Sequence, residues 1–110
     1  MKIIPYIVVT AWFPLNKGTE TAEKYIEERK AFPPDKSLVK ELVANAIKVD
    51  RDKIRSIYIA EVKEGKLNEA LTRQQNAMIM YHDIEGYEYT IEICFKVVEA
   101  MEMIGMKAPE

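Results

Sequence analysis

A chain of 110 residues, 48% apolar and 31% charged with few Gly and Pro, has enough material for one hydrophobic core but too little for separate cofactor and substrate domains. A formal charge of −2 with acids and bases interleaved provides no basic stripe for phosphates, which argues against nucleic-acid binding. The single cysteine, Cys94, excludes an internal disulfide and any multi-cysteine metal site. A globular domain in a reducing compartment, the cytoplasm, is the expectation, and no membrane association, since no apolar run reaches the roughly 18 residues of a bilayer span.

Ile3 to Phe13 is rich in β-branched and aromatic residues and ends at Pro14, which cannot donate to a sheet ladder. Its two alternating sets are Ile3, Pro5, Ile7, Val9, Ala11, Phe13 and Ile4, Tyr6, Val8, Thr10, Trp12. Both are apolar, which predicts a first strand buried on both faces. Lys2 followed by this run imitates a signal peptide, but Pro5, Tyr6 and Trp12 interrupt it. No small-x-small site follows before Asn16-Lys17-Gly18, so a buried strand is the expectation.

Leu15 to Gly18 reads as a loop, with Thr19 as N-cap and Glu20 and Glu23 early in a first helix that runs to about Phe32, where Pro33-Pro34 stops it. Ala22, Tyr25, Ile26 and Arg29 are expected on its inner side, with Glu27, Glu28 and Lys30 outward.

The next stretch is ambiguous. Leu38, Val39, Leu42, Val43, Ala46 and Ile47 recur at helical spacing, while Val43, Asn45, Ile47 and Val49 share one face of a strand. The polar turn Asp50-Arg51-Asp52-Lys53 and the strand Ile54 to Val62 beyond it favour a hairpin. Strand two is therefore expected at about Glu41 to Val49, after one helical turn at Lys36 to Val39.

Leu67, Leu71, Gln74, Met78 and Tyr81, flanked by Ala70 and Ala77, mark a second helix. Tyr87 to Phe95 alternates Tyr87, Tyr89, Ile91, Ile93, Phe95 against Glu88, Thr90, Glu92, Cys94, the pattern of a fourth strand. Val97, Val98, Met101 and Ile104 carry a short amphipathic helix stopped by Gly105. One domain over 1–106 with a short tail at 107–110 is expected, in the order β-α-β-β-α-β-α.

A βαββαβ order is the split-βαβ, ferredoxin-like arrangement, in which a four-stranded antiparallel sheet carries its helices on one face. The apolar second face of strands one and three then needs a cover, which predicts a homodimer through the sheet face.

The element order, the doubly apolar first strand and the closing Tyr87 to Phe95 strand resemble the dimeric α/β-barrel superfamily, which includes antibiotic-biosynthesis-monooxygenase-like and haem-degrading proteins. Asp83 to Ile93 and Val97 to Met106 look like segments of small uncharacterised prokaryotic proteins. The resemblance implies a cavity between sheet and helices holding a small apolar or aromatic molecule. It also implies, as a third reading, a haem site using Asn45 as polar partner, Trp12 as steric element and His82 as axial ligand.

His82 is the only histidine, so a histidine–acid pair must use it, with Asp83 and Glu85 near in sequence and Glu88 or Glu92 possible in space as the carboxylate; the competing reading is a favourable charge at a helix C-terminus. Glu88, Thr90 and Glu92 form a polar second face on strand four, either lining a site or solvated at an edge. Trp12, Tyr6, Asn45, Tyr58 and Thr90 are the candidate ligand contacts. Tyr87 and Tyr89 also have hydroxyls for a pocket, although aromatic stripes in strands equally build core. Met78, Met80 and His82 suit soft copper in an extended segment but point apart on a helix, so no metal and no cofactor is expected. The functional expectation is a small-molecule-binding protein or cofactor-independent enzyme, the alternative a non-catalytic assembly or regulatory module.

Overall fold

The computed structural model describes residues 3–109; Lys2, which imitates a charged leader start, and Glu110, the last residue of the tail, lie outside the described residues. The elements are β1 (Tyr6–Pro14), α1 (Gly18–Ala31), β2 (Val39–Asp50), β3 (Lys53–Val62), α2 (Leu67–Ile79), β4 (Glu88–Cys94) and α3 (Val97–Met103). The four strands form one antiparallel sheet in the order β2-β3-β1-β4, so β1 lies between β3 and β4. This α+β arrangement is compatible with a ferredoxin-like fold.

Alternation along β1 divides the molecule into two sides. Ile7, Val9, Ala11 and Phe13 are buried under the helices, and Ile7 with Val62 is sealed to 2% exposure or less. Each such side chain contributes roughly 1.5–3 kcal/mol. Leu38, Ala70, Met78, Tyr81 and Ile84 complete that core. Tyr6, Val8, Thr10 and Trp12 point the other way and are only half-buried, so a single chain covers one face of β1, not both.

Three local expectations shift. A 3-10 turn at Leu15–Lys17 feeds directly into α1, which therefore begins at Gly18 and leaves Thr19 inside the first turn, not at the cap. The inner side of α1 is rotated: Thr21 is buried and Glu28 half-buried, whereas Ile26 is 56% exposed. Thr21, Tyr25, Glu28 and Phe32 recur at i, i+4, i+7 and i+11, a single helical face. The helical turn expected at Lys36 to Val39 is an isolated turn over 36–38, and β2 starts at Val39.

β2 pairs with β3 as a hairpin through Arg51 (φ 57°), and it carries two bulges. The register slips between Glu41 and Val43, and again between Ala44 and Ala46, where Asn45 takes a φ of 87° that Asn tolerates better than most residues. Each inserted residue flips the alternation. Glu41, Ala44 and Ile47 consequently all face the helices, a spacing of three where a regular strand has two.

Gly86, in the turn before β4, has a φ of +82°, and a Cβ there would lie 2.8 Å from the Pro14 ring. At the opposite end of β1, buried Glu99 accepts from the Ile4 N–H (2.6 Å) and the Lys96 N–H (3.1 Å), while Lys96 pairs with Glu61 at 2.7 Å. These contacts fasten α3 to the edge of the sheet.

Candidate functional site

Between the sheet and its two long helices lies a cavity of about 390 Å³, within the range of small-molecule sites. The sequence leaves it unfilled because alanines and a serine stand where sheet and helices face each other. Ala11 is paired with Ser56 and Ala60 with Ile7 on the floor, and Ala70 and Ala77 lie two turns apart on α2. Phe13, Tyr81 and Tyr87 form one wall as a continuous stack, with centroids 5.7 Å and 4.8 Å apart and planes within 15°. Ala22, Pro33, Pro34, Ala44 and Ile47 are the exposed members of the lining, so the mouth opens between α1 and the edge strand β2.

Three sets of polar groups interrupt the apolar walls. Arg29 of α1 makes a two-pronged salt bridge to Glu41 of β2, with Nη1–Oε2 at 2.7 Å and Nη2–Oε1 at 3.0 Å. The guanidinium holds the Glu41 carboxyl below the usual carboxylate range, and the nearby Tyr58 hydroxyl acts in the same direction. Glu28 has no such partner. Its Oε1 accepts from the Tyr81 hydroxyl at 3.1 Å, and burial outweighs that bond to push its carboxyl up. Burial also raises the Tyr58, Tyr81 and Tyr87 hydroxyls, which therefore stay protonated as donors.

The third polar feature is Thr21. Among the described residues only two buried side-chain polar atoms lack a hydrogen-bond partner, Arg55 Nε and Thr21 Oγ1, and Thr21 is a cavity residue with 8% exposure. A buried hydroxyl left unsatisfied costs on the order of 1–3 kcal/mol. Arg73 of α2 bounds one side of the mouth by donating to the Pro33 carbonyl (2.5 Å) with its guanidinium over the Phe32 ring. The arrangement can hold a flat apolar body against the tyrosine stack and offers an acceptor at Glu28 and a free hydroxyl at Thr21.

The residues singled out from sequence separate into three places. Asn45 and Tyr58 line the cavity. Trp12, Tyr6, Thr90, Glu88 and Glu92 lie on the opposite, open face of the sheet, where Glu88 stands 3.7 Å from Lys53. His82 is exposed beyond the end of α2, with Nε2 2.8 Å from the Tyr89 hydroxyl, which also accepts from Gln75 at 2.9 Å. His82 therefore meets neither Glu88 nor Glu92 through a direct hydrogen bond.

Asn45 and Trp12 lie on opposite faces and His82 outside both, so the three residues of the haem reading share no pocket in one chain, and no step through haem is derived. Met78 is buried and Met80 half-buried, while His82 is exposed. Among the described residues no cluster of three or more His, Cys, Asp or Glu side chains is placed to hold a metal ion, and no helix is long and apolar enough to cross a membrane. The sequence reading missed Thr21 and Glu28. The signal that finds them is their seven-residue spacing with Tyr25 between, which puts all three on one helical face.

No protein-family model, no curated protein and no solved structure matches this chain.

Proposed function

We propose that this chain binds a small apolar or aromatic molecule in the cavity between its sheet and helices, and that any chemistry on that molecule is cofactor-independent and runs through Glu28. The observation that carries the proposal is the conjunction in one unfilled cavity of an aromatic wall, an unpaired half-buried carboxylate and a buried hydroxyl without a partner. A neutral apolar fluorophore such as N-phenyl-1-naphthylamine is the direct probe. Its emission should rise on binding to the wild type and stay flat with Ala44→Trp, which plugs the mouth from an exposed position and leaves the core untouched. Equal enhancement by both proteins would place the fluorophore elsewhere and reject the reading.

The open face supports a second reading, a homodimer that serves assembly. Its cross-strand rows place Val8 beside Ile59 and Val43, and Thr10 beside Ile57 and Ala46, with Trp12 at one end and Tyr6 at the other. The β4 column on that face carries Glu88 and Glu92, and the β2 column carries Lys40 and Lys48, with Asp50 at its turn end. A twofold axis in the interface parallel to the strands sets β4 of one copy over β2 of the other, acid on base, around the apolar centre. Sedimentation equilibrium should show a dimer that Trp12→Glu converts to monomer; a wild-type monomer at high micromolar concentration would remove this reading without touching the first.

A further inference from the structure

We infer that the cavity selects a neutral planar aromatic alcohol of about two fused rings, whose hydroxyl donates to the Glu28 carboxylate; this rests on the cavity-binding reading above. Charge sets the class. A cationic ligand meets two guanidinium groups of like charge in the lining, Arg29 and Arg73, which already lie over Tyr25 at 5.9 Å and Phe32 at 5.6 Å. An anionic ligand meets the carboxylates of Glu28 and Glu41, and both Arg29 prongs are already committed to Glu41. A neutral molecule avoids both conflicts.

Hydrogen bonding then sets the functional group. One oxygen of Glu28 is occupied by Tyr81, and the carboxylate can accept another bond, so it calls for a donor, which a hydroxyl supplies and an ether does not. The wall behind it is the stack of Tyr81, Tyr87 and Phe13, whose rings lie parallel within 15°, and a planar ring system continues such a stack face to face. Size follows from α1. Thr21 and Glu28 are seven residues apart, about 10 Å along the helix axis. Both side chains lean toward the helix N-terminus, so carboxylate and hydroxyl stay about that far apart, a length that two fused rings with a hydroxyl at either end fill.

Displacement of the fluorescent probe by naphthalene, 2-methoxynaphthalene and 2-naphthol tests this on the full chain. In the wild type 2-naphthol should bind about tenfold tighter than either of the others, the effect of one hydrogen bond to a charged acceptor. Glu28→Gln, which retains an acceptor for Tyr81, should shrink that ratio, and Glu28→Leu should abolish it while naphthalene affinity is kept. A second hydroxyl, in 2,6-dihydroxynaphthalene, should tighten binding further in the wild type but not in Thr21→Val. If naphthalene binds and 2-naphthol binds no tighter, the inference fails and the cavity reading stands. If none of the three displaces a probe that Ala44→Trp excludes, the inference fails and the cavity reading again stands; a probe bound equally by wild type and Ala44→Trp overturns both.

Discussion

The two faces of the sheet are written by alternate residues of the same strands, and they differ in how they are completed. On the helix side, Ile7, Val9, Ala11 and Phe13 are buried and together line the floor of a walled cavity with its own hydrogen-bonding groups. On the open side, Val8, Thr10 and Trp12 are flanked by the glutamate and lysine columns and left half-covered. The contrast teaches that a doubly apolar strand completes the monomer through one face only; the other face is the one the proposed homodimer uses.

Truncation should separate the two sides most sharply. Ile7→Ala, in the sealed core, should cost about 3 kcal/mol in denaturant unfolding, whereas Ile59→Ala on the open face should cost under about 1 kcal/mol at concentrations where the protein is monomeric. Comparable losses at low concentration would mean that the open face contributes to the monomer as much as the core does. Next in size is Arg29→Ala, which leaves Glu41 uncompensated beside the cavity. About 2 kcal/mol is expected, below the range for a fully buried pair because both partners retain some solvent contact.

Gly86→Ala should follow at about 1–2 kcal/mol, through its positive φ and the Pro14 ring. Substituting Pro14 by Ala in the same background should recover part of that loss if the clash contributes.

The smallest effects concern pH, and they distinguish two carboxylates of one cavity. Glu41 has its folded pKa held below the ordinary value of 4.5, so it contributes stability that is present above that value and lost as pH falls through the folded pKa. Glu28 has its folded pKa raised above 4.5, so its ionised form is penalised at neutral pH and stability is regained as pH falls through the folded pKa toward 4.5. Glu28→Gln should therefore be neutral or stabilising by less than about 1 kcal/mol at pH 7 and should remove the gain on acidification. Glu41→Gln should destabilise at pH 7 and remove the acid loss. The comparison is read from unfolding free energies measured between about pH 2 and pH 7, and a destabilising Glu28→Gln at neutral pH would contradict the assignment.

Much of the architecture is legible in the sequence, because β1, β3, α2 and β4 each carry one unambiguous period. β2 is ambiguous for a physical reason: its bulges at Leu42 and Asn45 interrupt the period of two, so the apolar Val39, Val43, Ala46 and Ile47 fall at helical spacing although they divide between the two faces of the strand. The site is less legible. On α1 the apolar Ile26 draws the expected inner face toward itself, but the helix turns Thr21, Tyr25 and Glu28 inward because the space they face is a cavity and not a packed core. Polar residues on an inner face are the mark of a site, and a reading by hydrophobicity assigns them to solvent. His82, Glu88 and Glu92 attracted notice by residue type, and the fold places them outside the cavity.

The faces can be told apart within single strands by methyl NMR during titration with 2-naphthol. Shifts should concentrate at Ile7, Val9 and Ala11 and leave the intervening Val8, with Ile57 and Ile59 beside it, unmoved. Shifts centred on Val8, Ile57 and Ile59, or none at any of these methyls at millimolar ligand, would contradict binding between the sheet and its helices.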